Sequence, residues 1–218
     1  ASVAIGKECN ANGDYSVAMG LKNNSKGIAS VAIGKECNAN GNYSVALGHL
    51  NRADGKGSVA MGLSCNANGT ASVATGALCN ANGENSVAMG GQCNANADYS
   101  FAMGELCNAI GYSSVAIGKE CNANGNYSVA IGNNCKTKVN NQFLYGSYNT
   151  VTNSNFIIGN GIEKATHNLF EVTDITPSSI TTHNDKPNTT YLIMNDCAVK
   201  GDRYALYIEK GGIKINKI

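Results

Sequence analysis

Apolar and polar positions alternate along the first two-thirds of the chain, in a pattern that repeats every fourteen residues. Each unit opens on Ser-Val-Ala-x-Gly, with serines at Ser2, Ser16, Ser30, Ser44, Ser58, Ser72, Ser86, Ser100, Ser114 and Ser128 and no slip in phase. Counting that serine as position one, position two is valine except at Phe101, position three is always alanine, and position five is always glycine, from Gly6 to Gly132. Position four varies among Ile5, Met19, Leu47, Thr75 and their equivalents. Alternation with period two, β-branched residues and a closing glycine predict a short strand. The second half of the unit reads Cys-Asn-Ala-Asn-Gly, as in Cys9 to Gly13 and Cys121 to Gly125, and predicts a second strand with one wet face. The Asn-Gly pair is expected to supply the positive φ angles of a tight turn.

Two strands and two turns in fourteen residues make one coil of a flattened parallel β-solenoid. One coil is too small to bury its own apolar face, so the coils must stack. At about 4.8 Å per coil, ten coils form a rod of roughly 50 Å.

The asparagines of positions nine and eleven face water, so cysteine and alanine of that strand face inward. Opposite them lies either the Val/Ile face or the Ala face of the first strand. A core of Cys, Ala, Val and Ile fills a thin roll, whereas Cys, Ala, Ala and Ser leave it nearly empty, which close packing disfavours. The expected core therefore contains Val3, Ile5, Cys9, Val17, Val31, Cys37, Val73, Cys79, Val115 and Cys121. Position three tolerates only alanine, which suggests that another backbone approaches there. Ala4, Ala18, Ala32, Ala46, Ala60, Ala74, Ala88, Ala102, Ala116 and Ala130 are accordingly expected to pack against copies of the same chain.

The register decays after Asn134. Residues 1–141 read as the regular roll, 142–164 as degenerate closing coils and 165–218 as a small β-rich module, a cap, a trimerisation unit or an adaptor. Phe143, Tyr145, Tyr148 and Phe156 are expected to close the end of the roll, as terminal repeats must. Leu169 to Ile175, Tyr191 to Met194, Tyr204 to Glu209 and Ile213 to Ile218 look like strands.

Composition narrows the function. The chain has no Trp, four Phe and 26 Gly, and its net charge is +1. Nothing suggests a nucleic-acid or membrane-surface footprint, and no apolar run approaches the roughly 20 residues that span a bilayer. No signal peptide is visible, and the start in mid-register at Ala1 looks like a fragment or a processed product. His49, His167 and His183 are scattered, and no nucleophile elbow, phosphate loop or metal cluster appears, so neither catalysis nor a cofactor is expected.

The remaining repeated residues have plain readings first. Cys9, Cys37, Cys65, Cys79, Cys93, Cys107, Cys121 and Cys135 all hold position eight. They read as a reduced structural ladder, with disulfides or a metal chain as the alternatives. The spacing is not Cys-x-x-Cys and no histidine accompanies it, which argues against zinc. Met19, Met61, Met89 and Met103 read as core fillers. The asparagines form a ladder of amides or a carbohydrate-binding face. Tyr15, Tyr43, Tyr99 and Tyr127 pack at a corner or bind sugars or receptors, and the sequons at Asn42 and Asn126 arise automatically from the repeat. Ice binding by such a flat face favours threonine ranks, which are missing here.

Ser-Val-Ala-Ile-Gly at this period, followed by small-x-Ala-x-Gly, closely resembles the YadA-like head repeat of trimeric autotransporter adhesins, a repeat also found in phage and other viral fibres. The resemblance covers Ala1 to about Asn141. It implies an all-β, left-handed parallel β-roll, three chains around one axis, and attachment to a surface. Two departures favour a virion fibre over the bacterial outer surface: the cysteine ladder, which suits assembly in a reducing compartment, and the lack of a recognisable neck, stalk or anchor after the roll. The expected function is a homotrimeric fibre or head module of a virus or phage, with a host-surface receptor or glycan as partner. The alternatives are a bacterial adhesin head and a structural spacer without a receptor.

Overall fold

In the computed structural model the described residues are 1–149, 152–161 and four strands at 168–172, 191–195, 203–209 and 212–217. The predicted C-terminal module lies largely outside them. Among the described residues there is no helix, and the architecture is an all-β parallel solenoid of fourteen-residue coils. Each coil contributes a five-residue strand, Val3–Lys7, Val17–Leu21 and so on to Val129–Asn133, and a two-residue strand, Asn10–Ala11 through Asn122–Ala123. Like pairs with like: Val3 with Val17, Ala4 with Ala18, Ile5 with Met19, Gly6 with Gly20. The longer strands continue in phase through Phe143–Ser147 and Phe156–Asn160, after which Asn168–Val172 adds antiparallel. Tyr191–Asn195, Arg203–Glu209 and Gly212–Lys217 form an antiparallel sheet of their own.

The two faces of the long strand are the reverse of the expectation. Position three lies inside: from Ala18 to Ala130 these alanines are fully buried, and only Ala4, on the outermost coil, is exposed. None of the nine buried alanines can touch another chain. The valines face outward, with Val17, Val31, Val73 and Val115 half-buried and Val3 and Ile5 exposed by 46% and 54%. Met89 and Met103 are likewise exposed rather than core fillers. The interior is Ser, Ala, Cys, Ala, the combination that looked too empty.

It is not empty because the two walls stand one small side chain apart. The Cys37 thiol reaches the Gly48 carbonyl on the opposite wall at 3.3 Å, and Ser25 Oγ meets Ser30 Oγ across the roll at 2.6 Å. At that separation a methyl group fills position three, which accounts for its invariance.

Turn chemistry also differs from the sequence reading. The glycine of Asn-Gly is not in the left-handed region; a Cβ on Gly13 would instead run into the Gly27 carbonyl of the next coil. Close stacking, not φ, keeps it small. The positive φ angles fall at position five, where Gly76 has φ 118°, and on non-glycine residues at positions seven and fourteen, such as Glu8 at 57° and Tyr43 at 60°. Each such corner is held by its neighbour: Lys22 N–H donates to Lys7 O at 2.9 Å and Tyr43 N–H to Ile28 O at 2.7 Å. Those bonds offset the roughly 1–2 kcal/mol a non-glycine residue loses in this conformation.

The far end is closed from within. Leu144 pairs with Ala130 and Ile157 with Leu144. Both larger side chains are fully buried at the alanine position. Phe143 and Tyr145 do not plug the roll; they sit outside at 38% and 55% exposure, and Phe143 stacks on Phe156 at 5.4 Å. Gln142, in the serine position, is buried and donates to Ser154 O at 2.6 Å while accepting from Lys138 N–H at 2.6 Å.

Candidate functional site

Three repeated surfaces and one buried column are available for function. The first surface is the outer face of the long-strand sheet. Positions two and four place Val, Ile, Met and Leu there in register, coil after coil. Ile33 at 38%, Met89 at 37% and Met103 at 37% are exposed in this stripe. An apolar band running the length of a rod is more than scattered surface hydrophobes.

On the opposite face the asparagines of position nine form a ladder of amides. Asn66 donates to Asn80, Asn80 to Asn94 and Asn94 to Asn108, each at 2.9 Å, and Asn108 to Asn122 at 3.0 Å. Position eleven makes a second ladder, Asn68 to Asn82 at 2.7 Å and Asn82 to Asn96 at 2.8 Å. The position-nine amides also donate to a carbonyl of their own coil, Asn94 to Gln92 O at 3.4 Å and Asn122 to Glu120 O at 3.1 Å.

The residues matched by the YadA head domain repeat (2 copies) are 1–23, 25–51, 53–78, 81–104 and 109–134, more than half of the chain. The chain belongs to this family. No curated protein matches it. In this YadA head repeat the third surface is a corner lined by tyrosines. Tyr112 contacts Tyr99 and Tyr127 edge to face, each at 5.5 Å, and Tyr15 and Tyr43 stand alone on earlier coils, exposed by 72% and 59%.

Inside the YadA roll, the cysteines of position eight from Cys37 to Cys135 are free and buried, and Cys9 is half-buried on the outermost coil. Apart from Cys65, whose thiol donates to Leu63 O at 3.7 Å, each buried thiol donates to a glycine carbonyl of the following coil, Cys79 to Gly90 at 3.2 Å and Cys107 to Gly118 at 3.2 Å. Burial pushes the Cys37 thiol up, so that thiol holds its proton near neutrality. Two of the regular coils carry asparagine here, a substitution the sequence reading passed over. Asn23 and Asn51 are fully buried, donate to Gly34 O at 2.7 Å and Gly62 O at 2.6 Å, and accept from Cys37 and Cys65 N–H, each at 2.9 Å. The exchange of Cys for Asn was the signal that this position demands a hydrogen-bond donor, not merely a small apolar group. Among the described residues no group of three or more His, Cys, Asp or Glu side chains is arranged to hold a metal ion.

Proposed function

We propose that the chain is a homotrimeric adhesin-type head, in which three rods pack their Val/Ile faces around a common axis and present the asparagine ladders and tyrosine corners outward to a surface. The observation that carries this reading is the in-register apolar stripe, exposed on a chain that belongs to a family of adhesin heads. Burying such a stripe returns about 25 cal/mol for each Å² covered, and three copies of the same face meet around one axis through heterologous contacts that close into a ring. Membership of that family supports the bacterial outer surface as the location.

The experiment is mass measurement by light scattering on the wild-type chain and on the double variant Val59→Asp/Val87→Asp. A trimer is expected for the first and a monomer with unchanged far-UV circular dichroism for the second. A wild-type monomer would overturn the assembly, and loss of β structure in the variant would overturn the facing.

A second reading, the head of a viral or phage fibre, is favoured by one observation: a column of free buried thiols suits folding in a reducing compartment. Binding of labelled chain to host cells or matrix, compared between the wild type and a variant stripped of its surface tyrosines, tests attachment under either reading. No binding by the wild type would leave a spacer.

A further inference from the structure

The tyrosine corner is densest over three coils. Tyr99 and Tyr127 hold position fourteen two coils apart, and the coil between them carries Ser113 there and moves its tyrosine to position thirteen. Tyr112 therefore reaches both, edge to face, with ring planes inclined by 67° and 73°. An edge-to-face run leaves free some ring face that a parallel stack would cover, and all three tyrosines remain exposed.

The same corner carries negative charge that the fold does not require. Position thirteen of the two preceding coils is Glu84 and Asp98. Asp98 Oδ1 accepts the Glu84 N–H at 2.8 Å. Uncharged asparagines make that bond elsewhere in the column: Asn42 accepts from Ile28 N–H at 3.0 Å, and Asn126 from Tyr112 N–H and Asn140 from Asn126 N–H, each at 2.9 Å. An amide would serve equally well in place of Asp98, so its charge is surplus to the stacking.

No cation of the chain neutralises it. Lys, Arg and His are all missing between Lys56 and Lys119. Lys119 pairs with Glu105 at position six, and Lys56 lies two coils from Glu84 and three from Asp98. At about 4.8 Å per coil, that is about a Debye length or more in physiological salt. The two carboxylates nonetheless act on the middle ring: lost hydration, then the Tyr99 and Tyr127 phenolates, then the charges of Asp98 and Glu84 push the Tyr112 hydroxyl above its ordinary value of 10.0.

Exposed aromatic face beside carboxylates without a counter-ion is the environment of a cation. Among protein cations the guanidinium fits both parts at once. It is planar and stacks on an aromatic ring while its edge donates to a carboxylate, whereas an ammonium is a strongly hydrated point charge. We propose that Tyr99, Tyr112 and Tyr127, with Asp98 and Glu84, form a docking surface for an arginine of a basic partner protein, its guanidinium stacked on a tyrosine ring and paired with the Asp98 carboxylate. Access to this surface in the assembly rests on the outward placement of the tyrosine corners proposed above. Asp14 and Tyr15 repeat the pair of residues at Asp98 and Tyr99 without the neighbouring rings or the second carboxylate, and make a weaker surface.

The test measures fluorescence anisotropy of a labelled Gly/Ser peptide carrying two arginines, titrated with the full chain at low ionic strength. The same peptide with lysines in their place is the comparison. Asp98→Asn and Tyr112→Thr copy residues the chain already carries at position thirteen, Asp14→Asn removes the same charge from the lone-tyrosine corner, Tyr112→Phe keeps the ring, and circular dichroism confirms each fold. The arginine peptide is expected to bind the wild type more tightly than the lysine peptide. Asp98→Asn and Tyr112→Thr are each expected to weaken it by about two- to fivefold, and Asp14→Asn and Tyr112→Phe to leave it level. No binding of the arginine peptide by the wild type, equal binding of the two peptides, an equal loss in Asp14→Asn and Asp98→Asn, or an unchanged Tyr112→Thr would each overturn the docking surface. Light scattering on the same samples separates the two readings: a wild-type monomer that binds the arginine peptide keeps this surface and sinks the trimer, and a trimer that does not bind sinks the surface alone.

Discussion

Asn23 and Cys37 sit one coil apart and make the same bond: the amide of Asn23 donates to the Gly34 carbonyl at 2.7 Å, and the thiol of Cys37 donates to the Gly48 carbonyl at 3.3 Å. Position eight is thus a donor position, built to satisfy the carbonyl that the left-handed glycine turns inward.

Replacing Cys79 separates donor from bulk. Cys79→Asn keeps the bond to Gly90 and is expected to hold stability within about 1 kcal/mol. Cys79→Ala leaves a buried carbonyl without its partner and opens a small void, a loss of about 1–3 kcal/mol. Urea midpoints of the two variants check the difference.

Ala74 is fully buried between the walls and Thr75 lies half-buried on the outer face. Ala74→Leu forces the walls apart and is expected to cost at least about 1–3 kcal/mol. Thr75→Ile restores the residue seen at Ile117, on the same face, and is expected to leave the melting temperature level or raise it. Equal effects of the two changes would reverse the facing again.

Gly76 and Gly57 both have positive φ, at 118° and 66°, but only the first is crowded. A Cβ on Gly76 would meet the Gly90 carbonyl, while nothing lies within 4 Å of Gly57. Gly57→Asn is expected to be neutral, since Asn85 holds the same corner at 52°. Gly76→Ala adds strain of about 1–3 kcal/mol to a backbone clash and is expected to unfold its coil, read as a lowered melting temperature.

Burial raises the Cys37 thiol above its ordinary value of 9.0. A group whose folded value is raised contributes stability fully below its unfolded value and loses it as pH rises through the folded one. The Cys37 contribution to stability is therefore expected to be flat across neutral pH and to fall above about pH 9 as the unfolded thiol ionises. Cys37→Asn should reduce that fall, as read from melting temperatures at pH 7 and pH 10.

The stacking of coils was plain in the sequence because identical residues recur at one spacing, and in-register parallel pairing follows directly from it. Facing was not, since alternation distinguishes two sides without saying which is inside. Volume favoured Val and Ile, but the wall separation is fixed by the reach of a position-eight side chain to a glycine carbonyl, a contact no hydrophobic pattern records. Asn23 and Asn51 carried the clue, because a buried amide needs backbone partners close by. The plug was missed for the same reason: once alanine is known to point inward, Leu144 and Ile157, not the aromatic residues beside them, are the stoppers.

Because every coil hands the same set of bonds to the next, the rod is modular by whole turns. Deleting or duplicating fourteen residues alters its reach by one step of about 4.8 Å and leaves each surviving junction chemically unchanged. Reach can therefore be reset by recombination between sister turns, without redesign of any contact, and a lineage that must bridge a changing distance needs only to count.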